Sequence, residues 1–186
     1  MSDTTFTPRP DVEDAFPLVA KVCAHWAGLR TRHALPARGA LDPAALAEAL
    51  PHVFLGELVS PRVARIRLCG HGVEDVMGMD LRGMPLTALF GSDARDDIMA
   101  ALEQVGRGVR AMLALQAEPG FGQPEMTAQL ALMPLTGADG RITHVLGVLE
   151  RRGQIGRRPR RFATARTAPV IEDSAPMLRV IIGGKR

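Results

Sequence analysis

Three stretches in the second half of the chain constrain the fold more than any other feature: VRAMLALQA (109–117), MTAQLALMPL (126–135) and RITHVLGVLERR (141–152). Each is a strand-length apolar run, and the connections between them are EPGFGQPE and TGADG. Links this short and rich in turn residues join antiparallel neighbours, because a parallel neighbour needs a crossover of roughly a dozen residues or more. A three-strand antiparallel meander follows. Two further strands are expected upstream, HVFLGELV (52–59) and RVARIRLCG (62–70), with Pro61 at the turn between them. Alternation in the second predicts Ala64, Ile66 and Leu68 on one face, against Val63, Arg65 and Arg67 on the other.

Between the two strand groups lies RIRLCGHGVEDVMGMDLRGMPLTALF (65–90), with glycines at 70, 72, 78 and 83. It is too broken for a long helix and too polar for a buried strand. Gly70 and Gly72 are expected to supply permissive dihedrals where the strand turns, and Gly78 and Gly83 to end helical turns in the left-handed region. Leu81 then tucks under the sheet. This joint either wraps a ligand cavity or only makes a compact turn. GSDARDDIMAALEQVGRGV (91–109) follows as an amphipathic helix with an apolar stripe at 98, 102, 105 and 109, capped by Ser92 or Asp93 and ended by Gly106 and Gly108. Near the N-terminus, Val12, Phe16, Val19, Val22, Trp26 and Leu29 recur at helical spacing. Pro17 suits the first turn of that helix. LDPAALAEALP (41–51) predicts a second, short helix with Asp42 as N-cap, Pro43 at N1 and Pro51 as stop. Strands, a helical crossing and more strands make an α+β fold: a five-stranded antiparallel sheet with helices on one face.

At this point the chain resembles a known family. Residues from 22 to 151 are similar to a family of short bacterial single-domain PAS-like proteins. The resemblance is carried by Trp26, by LPARGALDP (35–43, with Arg38 and Pro43), by LPHVFLGEL (50–58) and by RIRLCGHGVEDVMGMDLRG (65–83). Arg67, Leu68 and Gly70 match an Arg-Leu-x-Gly step, and Gly78, Asp80 and Gly83 a Gly-x-Asp-x-x-Gly step. The family often has an acid two residues after Arg38, where this chain has Ala40. The resemblance implies three parts: 1–21 as an N-terminal extension and helix start, 22–151 as the PAS-like domain, and 152–186 as a basic C-terminal extension. It also implies a non-enzymatic sensory or regulatory module. With no output domain in the chain, the signal is expected to pass to another protein, with or without gating by a small apolar ligand.

The residues narrow the chemistry. No Gly-x-Ser-x-Gly elbow, phosphate-binding Gly-Lys-Ser/Thr loop or His-Glu-x-x-His pair occurs. The adjacent carboxylates Glu74–Asp75 and Asp96–Asp97 point apart on a helix, so no acid/base dyad is expected. Cys23-Ala-His25 and Cys69-Gly-His71 contain zinc-type ligands at unusual spacing; separate buried thiols and surface imidazoles are the plainer reading. Among PAS cofactors, haem would call for an axial histidine on the long helix, and residues 93–107 hold none. A flavin photoreceptor would show cysteine in an Asn-Cys-Arg context, and neither cysteine does. No cofactor is therefore expected. The candidate cavity is apolar: Leu68, Met77, Phe90, Ile98, Met99, Leu113, Leu115, Leu130, Leu132 and Val145, with Val148 beside them.

Charge and processing signals set the partners. Residues 150–186 hold ten Lys/Arg against three acids, while the first 149 hold thirteen against seventeen. The net +3 therefore conceals a body at −4 and a tail at +7. The run RRGQIGRRPRRF (151–162) is either a solvated tail or, as the alternative function, a nucleic-acid anchor. Only Phe162 interleaves with its arginines, so nucleic acid is not the favoured partner. APMLRVIIGGKR (175–186) predicts an ordered, partly buried segment at 177–182, with the arginine run as a bridge to it. Val19, Val22, Trp26 and Leu29 are the expected seam of a homodimer. Arg67 is expected to reach a carboxylate, Asp80 first, or backbone carbonyls near the glycine joint, or else to face solvent. No apolar run approaches the roughly 20 residues of a membrane helix, and the N-terminus lacks a signal-peptide pattern, so a cytoplasmic protein without membrane insertion is expected.

Overall fold

The computed structural model describes residues 15–32, 34–165 and 170–172, the last three as backbone. Helix α1 spans Pro17–Leu29 with proline in its first turn, as the sequence predicts. Strands β1 (Val53–Ser60) and β2 (Val63–Cys69) follow. The crossing contains α2 (His71–Met77), short 3-10 turns at Leu86–Leu89 and Ser92–Ala94, and α3 (Arg95–Gly106). Then come β3 (Arg110–Ala117), β4 (Thr127–Thr136), β5 (Ile142–Arg152), β6 (Phe162–Thr164) and β7 (Val170–Glu172).

The sheet runs β2-β1-β5-β4-β3-β6, with β7 also pairing β3, and every pair of neighbours is antiparallel. The meander β3-β4-β5 is therefore closed by β1 docking on β5. Five long strands match the expectation, and two short strands from the C-terminal extension are added at the β3 edge.

Both faces of the sheet are covered. On the inner face, α2, α3 and the crossing pack over Phe54, Ile66, Leu113, Leu115, Leu130, Leu132, Val145 and Leu149. On the outer face, Val19, Val22, Cys23 and Trp26 of α1 pack with Leu46 over Leu55, Ala131, Met133, Leu135, Leu146 and Val148. This is why β4 reads as a nearly continuous buried run rather than an alternating one. It also corrects the dimer seam: Val19, Val22 and Trp26 are 2%, 0% and 1% exposed within their own chain. The Trp26 indole N–H donates to the Pro134 carbonyl at 2.9 Å.

Two local expectations change. Residues 41–51 form no α-helix, because their backbone bonds are mostly of the i→i+3 kind, such as Leu46 N–H to Pro43 and Ala49 N–H to Leu46. Asp42 still caps the turn by accepting from Ala44 N–H at 2.9 Å. The arginine run is no free tail, because the chain after β5 doubles back along the inner layer. Phe162 is fully buried in the inner core and Arg160 is 1% exposed. The Arg160 guanidinium donates to the carbonyls of Ile155 (2.6 Å) and Pro124 (2.8 Å). Its backbone N–H reaches Val76 at 2.9 Å. Residues 177–182 lie outside the described residues.

Candidate functional site

The glycine joint owes its shape to close approach as much as to dihedral freedom. Gly70 has ordinary extended backbone (φ −73°), correcting the expectation for it. Its constraint is space: a Cβ there would overlap the carbonyl oxygens of Leu50 and Pro51. Gly78 does close α2 in the left-handed conformation, at φ 71°, and Leu81 is fully buried beneath the sheet.

A β-bulge in β2 decides which residues meet here. Leu55 pairs Leu68 while the next residue of β1, Gly56, pairs Ile66, so Arg67 is the extra residue. One inserted residue moves everything beyond it to the opposite face. Leu68 therefore leaves the Ala64–Ile66 face and stands 58% exposed on the outer face. This corrects its place in the expected inner cavity. Of that set, Met77, Phe90, Ile98, Leu113, Leu115, Leu130, Leu132 and Val145 do converge in the inner core. Met99 is half-buried outside it, and Val148 packs on the outer face.

Leu68 instead helps to line an outer cleft of about 590 Å³, whose apolar floor includes Leu41, Leu46, Leu50, Val53, Leu55 and Leu146. Pro43, Gly70 and Asp80 of the sequence motifs line the same cleft, with Glu74 and Arg82. Arg82 holds Asp80 through three side-chain hydrogen bonds of 2.6–3.1 Å, which depress the carboxyl to about 2. Arg67 pairs Glu57 at 2.6–2.7 Å rather than Asp80. The reason is register: Glu57 sits opposite Arg65 on the neighbouring strand, one step from the bulge. Arg65 donates to the Gly83 carbonyl at 3.0 Å.

Beyond Leu55 and Leu146 on the outer face, the next paired residues are Glu57 and His144. Half-buried His144 has its pKa lowered by burial first and by the Arg38 charge next, with Glu57 opposing. Sequence reasoning missed this cleft, although the unusual Arg-x-Arg-Leu ending of β2 was a signal of it.

Cys69 closes β2, with its thiol pushed up to about 12 by burial and then by Glu74 and Asp80. Cys23 is a buried residue of α1, and neither cysteine is in a disulfide. Among the described residues no three His, Cys, Asp or Glu side chains gather to hold a metal ion.

The sheet order, the helical crossing between β2 and β3 and the two covered faces agree with one further finding. The sequence profile of the PAS domain matches residues 16–150. The chain belongs to the PAS domain family. No curated protein matches it. Among solved structures, a light-oxygen-voltage domain studied with a flavin analogue has a TM-score of 0.47 at 18% identity, covering 60% of this chain and 84% of that one. The light-state Aureochrome1 light-oxygen-voltage domain gives 0.44 at 20% identity, over 62% of this chain and 91% of that one. An RNA-binding light-oxygen-voltage receptor gives 0.42 at 18%, over 62% and 35%. At these scores the likenesses carry no functional argument.

Whether this PAS domain suits a flavin can be asked of its own residues. The polar edge of an isoalloxazine needs amide or carbonyl partners inside the pocket. The side chains buried between sheet and helices are apolar. Of the buried polar groups described, Gln129 and Glu150 share the outer face of β4 and β5, and Arg160 is turned to backbone at the margin. Among the described residues no helix is long and apolar enough to cross a membrane.

Proposed function

We propose that the chain is a non-enzymatic regulatory PAS module of the cytoplasm, without haem or flavin, whose output is a contact with another signalling protein. The observation that carries this is the outer face of β1–β2. There α1 ends its cover, and Leu68 and Val59 stand 58% and 47% exposed. Large aliphatic side chains on an ordered sheet face are suited to a partner surface. A homodimer, if formed, uses this face rather than α1, whose apolar side is spent within the chain. The nucleic-acid alternative has less support, because Arg160 and Phe162 of the arginine run are buried.

Site-specific photo-crosslinking in cells tests the reading. A cross-linker at position 68 should give a discrete protein adduct, and one at Phe121, 91% exposed on the loop between β3 and β4, should not. Equal adducts from both positions, or none from 68, would overturn it. Light scattering at tens of micromolar reads the dimer, and Leu68→Asp should convert it to monomer.

A further inference from the structure

The outer cleft is an apolar surface with an acidic margin, and the described chain leaves it open. Leu50 and Leu68, which line it, are 41% and 58% exposed. Of its charged side chains, Arg82 is taken up by Asp80 at 2.6 Å, and Glu74 makes no ion pair among the described residues. The complement of such a cleft is an apolar segment that carries a positive charge. The sequence holds one. Residues 177–182 read Met-Leu-Arg-Val-Ile-Ile, aliphatic on both sides of Arg179, and Lys185 and Arg186 follow.

Reach decides whether that segment can serve its own chain. The last described strand, β7, pairs β3, and one row of paired residues runs from it across the sheet: Ile171, Ala111, Leu132, Gly147, Phe54 and Cys69. Phe54 and Cys69 line the cleft. The row crosses from β7 to β2, about 24 Å at the usual spacing between strands. Met177 and Ile182 follow Ile171 closely in sequence. Extended chain, at about 3.3 Å per residue, carries them about 20 and about 36 Å from it. That range spans the sheet and leaves length for a detour round α1, which covers the outer face of β4 and β5. A helix, at about 1.5 Å per residue, would carry Ile182 only about 17 Å and fall short.

From charge and reach together we infer that residues 177–182 dock, extended, in the outer cleft of their own chain. Leu178, Val180 and Ile182 share one face of an extended segment and lie against Leu55, Leu68 and Leu146, with Arg179 beside Glu74. The aliphatic contact holds the segment, since it covers the leucine that the bulge turns outward. The ion pair, exposed and weak by itself, sets the register. The inference rests on the regulatory reading for its consequence: the segment occupies the face proposed for the partner protein, which must displace it to bind.

The test uses the full chain with a photo-cross-linker at position 68, and hydrogen exchange with methyl NMR on the chain without it. Cross-links should run to 177–182 within one chain, at a yield independent of protein concentration, and the amides of 177–182 should be protected. Val180→Asp should cut that protection at least about tenfold. It should also shift the methyls of Leu55, Leu68 and Leu146 and leave that of inner-core Ile98 in place. Glu74→Arg should cut protection about fivefold, and adding Arg179→Glu should restore it. Trp26 fluorescence should report an unchanged fold in each variant. Rapid exchange throughout 177–182, cross-links only between copies, or a double variant no better than Glu74→Arg would overturn the inference. In cells, Val180→Asp should strengthen the partner adduct from position 68. A partner adduct with no intrachain cross-link removes the docked segment and leaves the partner reading standing; the reverse result removes the partner and leaves the docked segment.

Discussion

Helix α1 begins without a cap of its own: Phe16 stands at the N-cap position and offers no acceptor. The acceptor comes from the far end of the chain. Glu150 Oε2 on β5 takes the Leu18 N–H at 2.8 Å and the Val19 N–H at 3.0 Å. Its side chain is 7% exposed, and Arg152 lies 3.8 Å from its other oxygen. A carboxylate here also meets the positive end of the helix dipole. Glu150→Ala would strand two N–H donors, each worth about 1–3 kcal/mol when buried unpaired. Part of this is offset, because the carboxylate no longer has to be desolvated. A net loss of about 3 kcal/mol follows, or roughly 6–12 °C in Tm for a domain of this size. Glu150→Gln keeps an oxygen acceptor without the charge and should lose about half as much. Urea unfolding followed by Trp26, the sole tryptophan, reads the stability. Hydrogen exchange across 17–29 reads α1 alone. A loss below about 0.5 kcal/mol, with α1 amide protection unchanged, would refute the reasoning that Glu150 is the helix cap.

Phe162→Ala should cost about 3–5 kcal/mol by opening the inner core. Truncation after Glu150 should lower the melting temperature and raise ANS binding, and an unchanged melt would show the returning strap to be ornamental. Gly70→Ala should destabilise by about 2 kcal/mol or more in urea titration, since its Cβ meets rigid backbone carbonyls rather than a movable side chain. A carboxyl NMR titration should place Asp80 at about 2. Its folded pKa lies below the unfolded value of about 3.9, so the stabilisation from its pairing is complete above that pH and is lost as pH falls through 2. Arg82→Ala should move the midpoint up toward the ordinary range, and an unmoved midpoint would rule out the pairing as its cause.

Local pattern carried the five long strands, α1 with its proline, α3 with its buried Ile98, Leu102 and Val105, and the left-handed glycine at 78. Each of these is written in a few neighbouring residues, through periodicity, a fixed proline φ or a missing Cβ. Strand order beyond the meander, and with it the family, came from the succession of elements and the 65–83 motifs. What local pattern could not carry is any property set by a residue far along the chain. The Arg67 bulge depends on how β2 registers against β1, and it alone sends Leu68 outward and creates the cleft. The Glu57–Arg67 pair is set by the same register. The burial of Trp26 depends on α1 crossing to a face of β4 and β5 more than 100 residues away, with Pro134 waiting for its indole N–H. Arg160 and Phe162 look like solvated tail in sequence because a charge run is polar in any local window. Only the return of the chain past Pro124, Ile155 and Val76 supplies the carbonyls and the cavity that bury them. Periodicity determined the elements of this protein; register and long-range burial, which depend on partners distant in the chain, decided which surface could be its site.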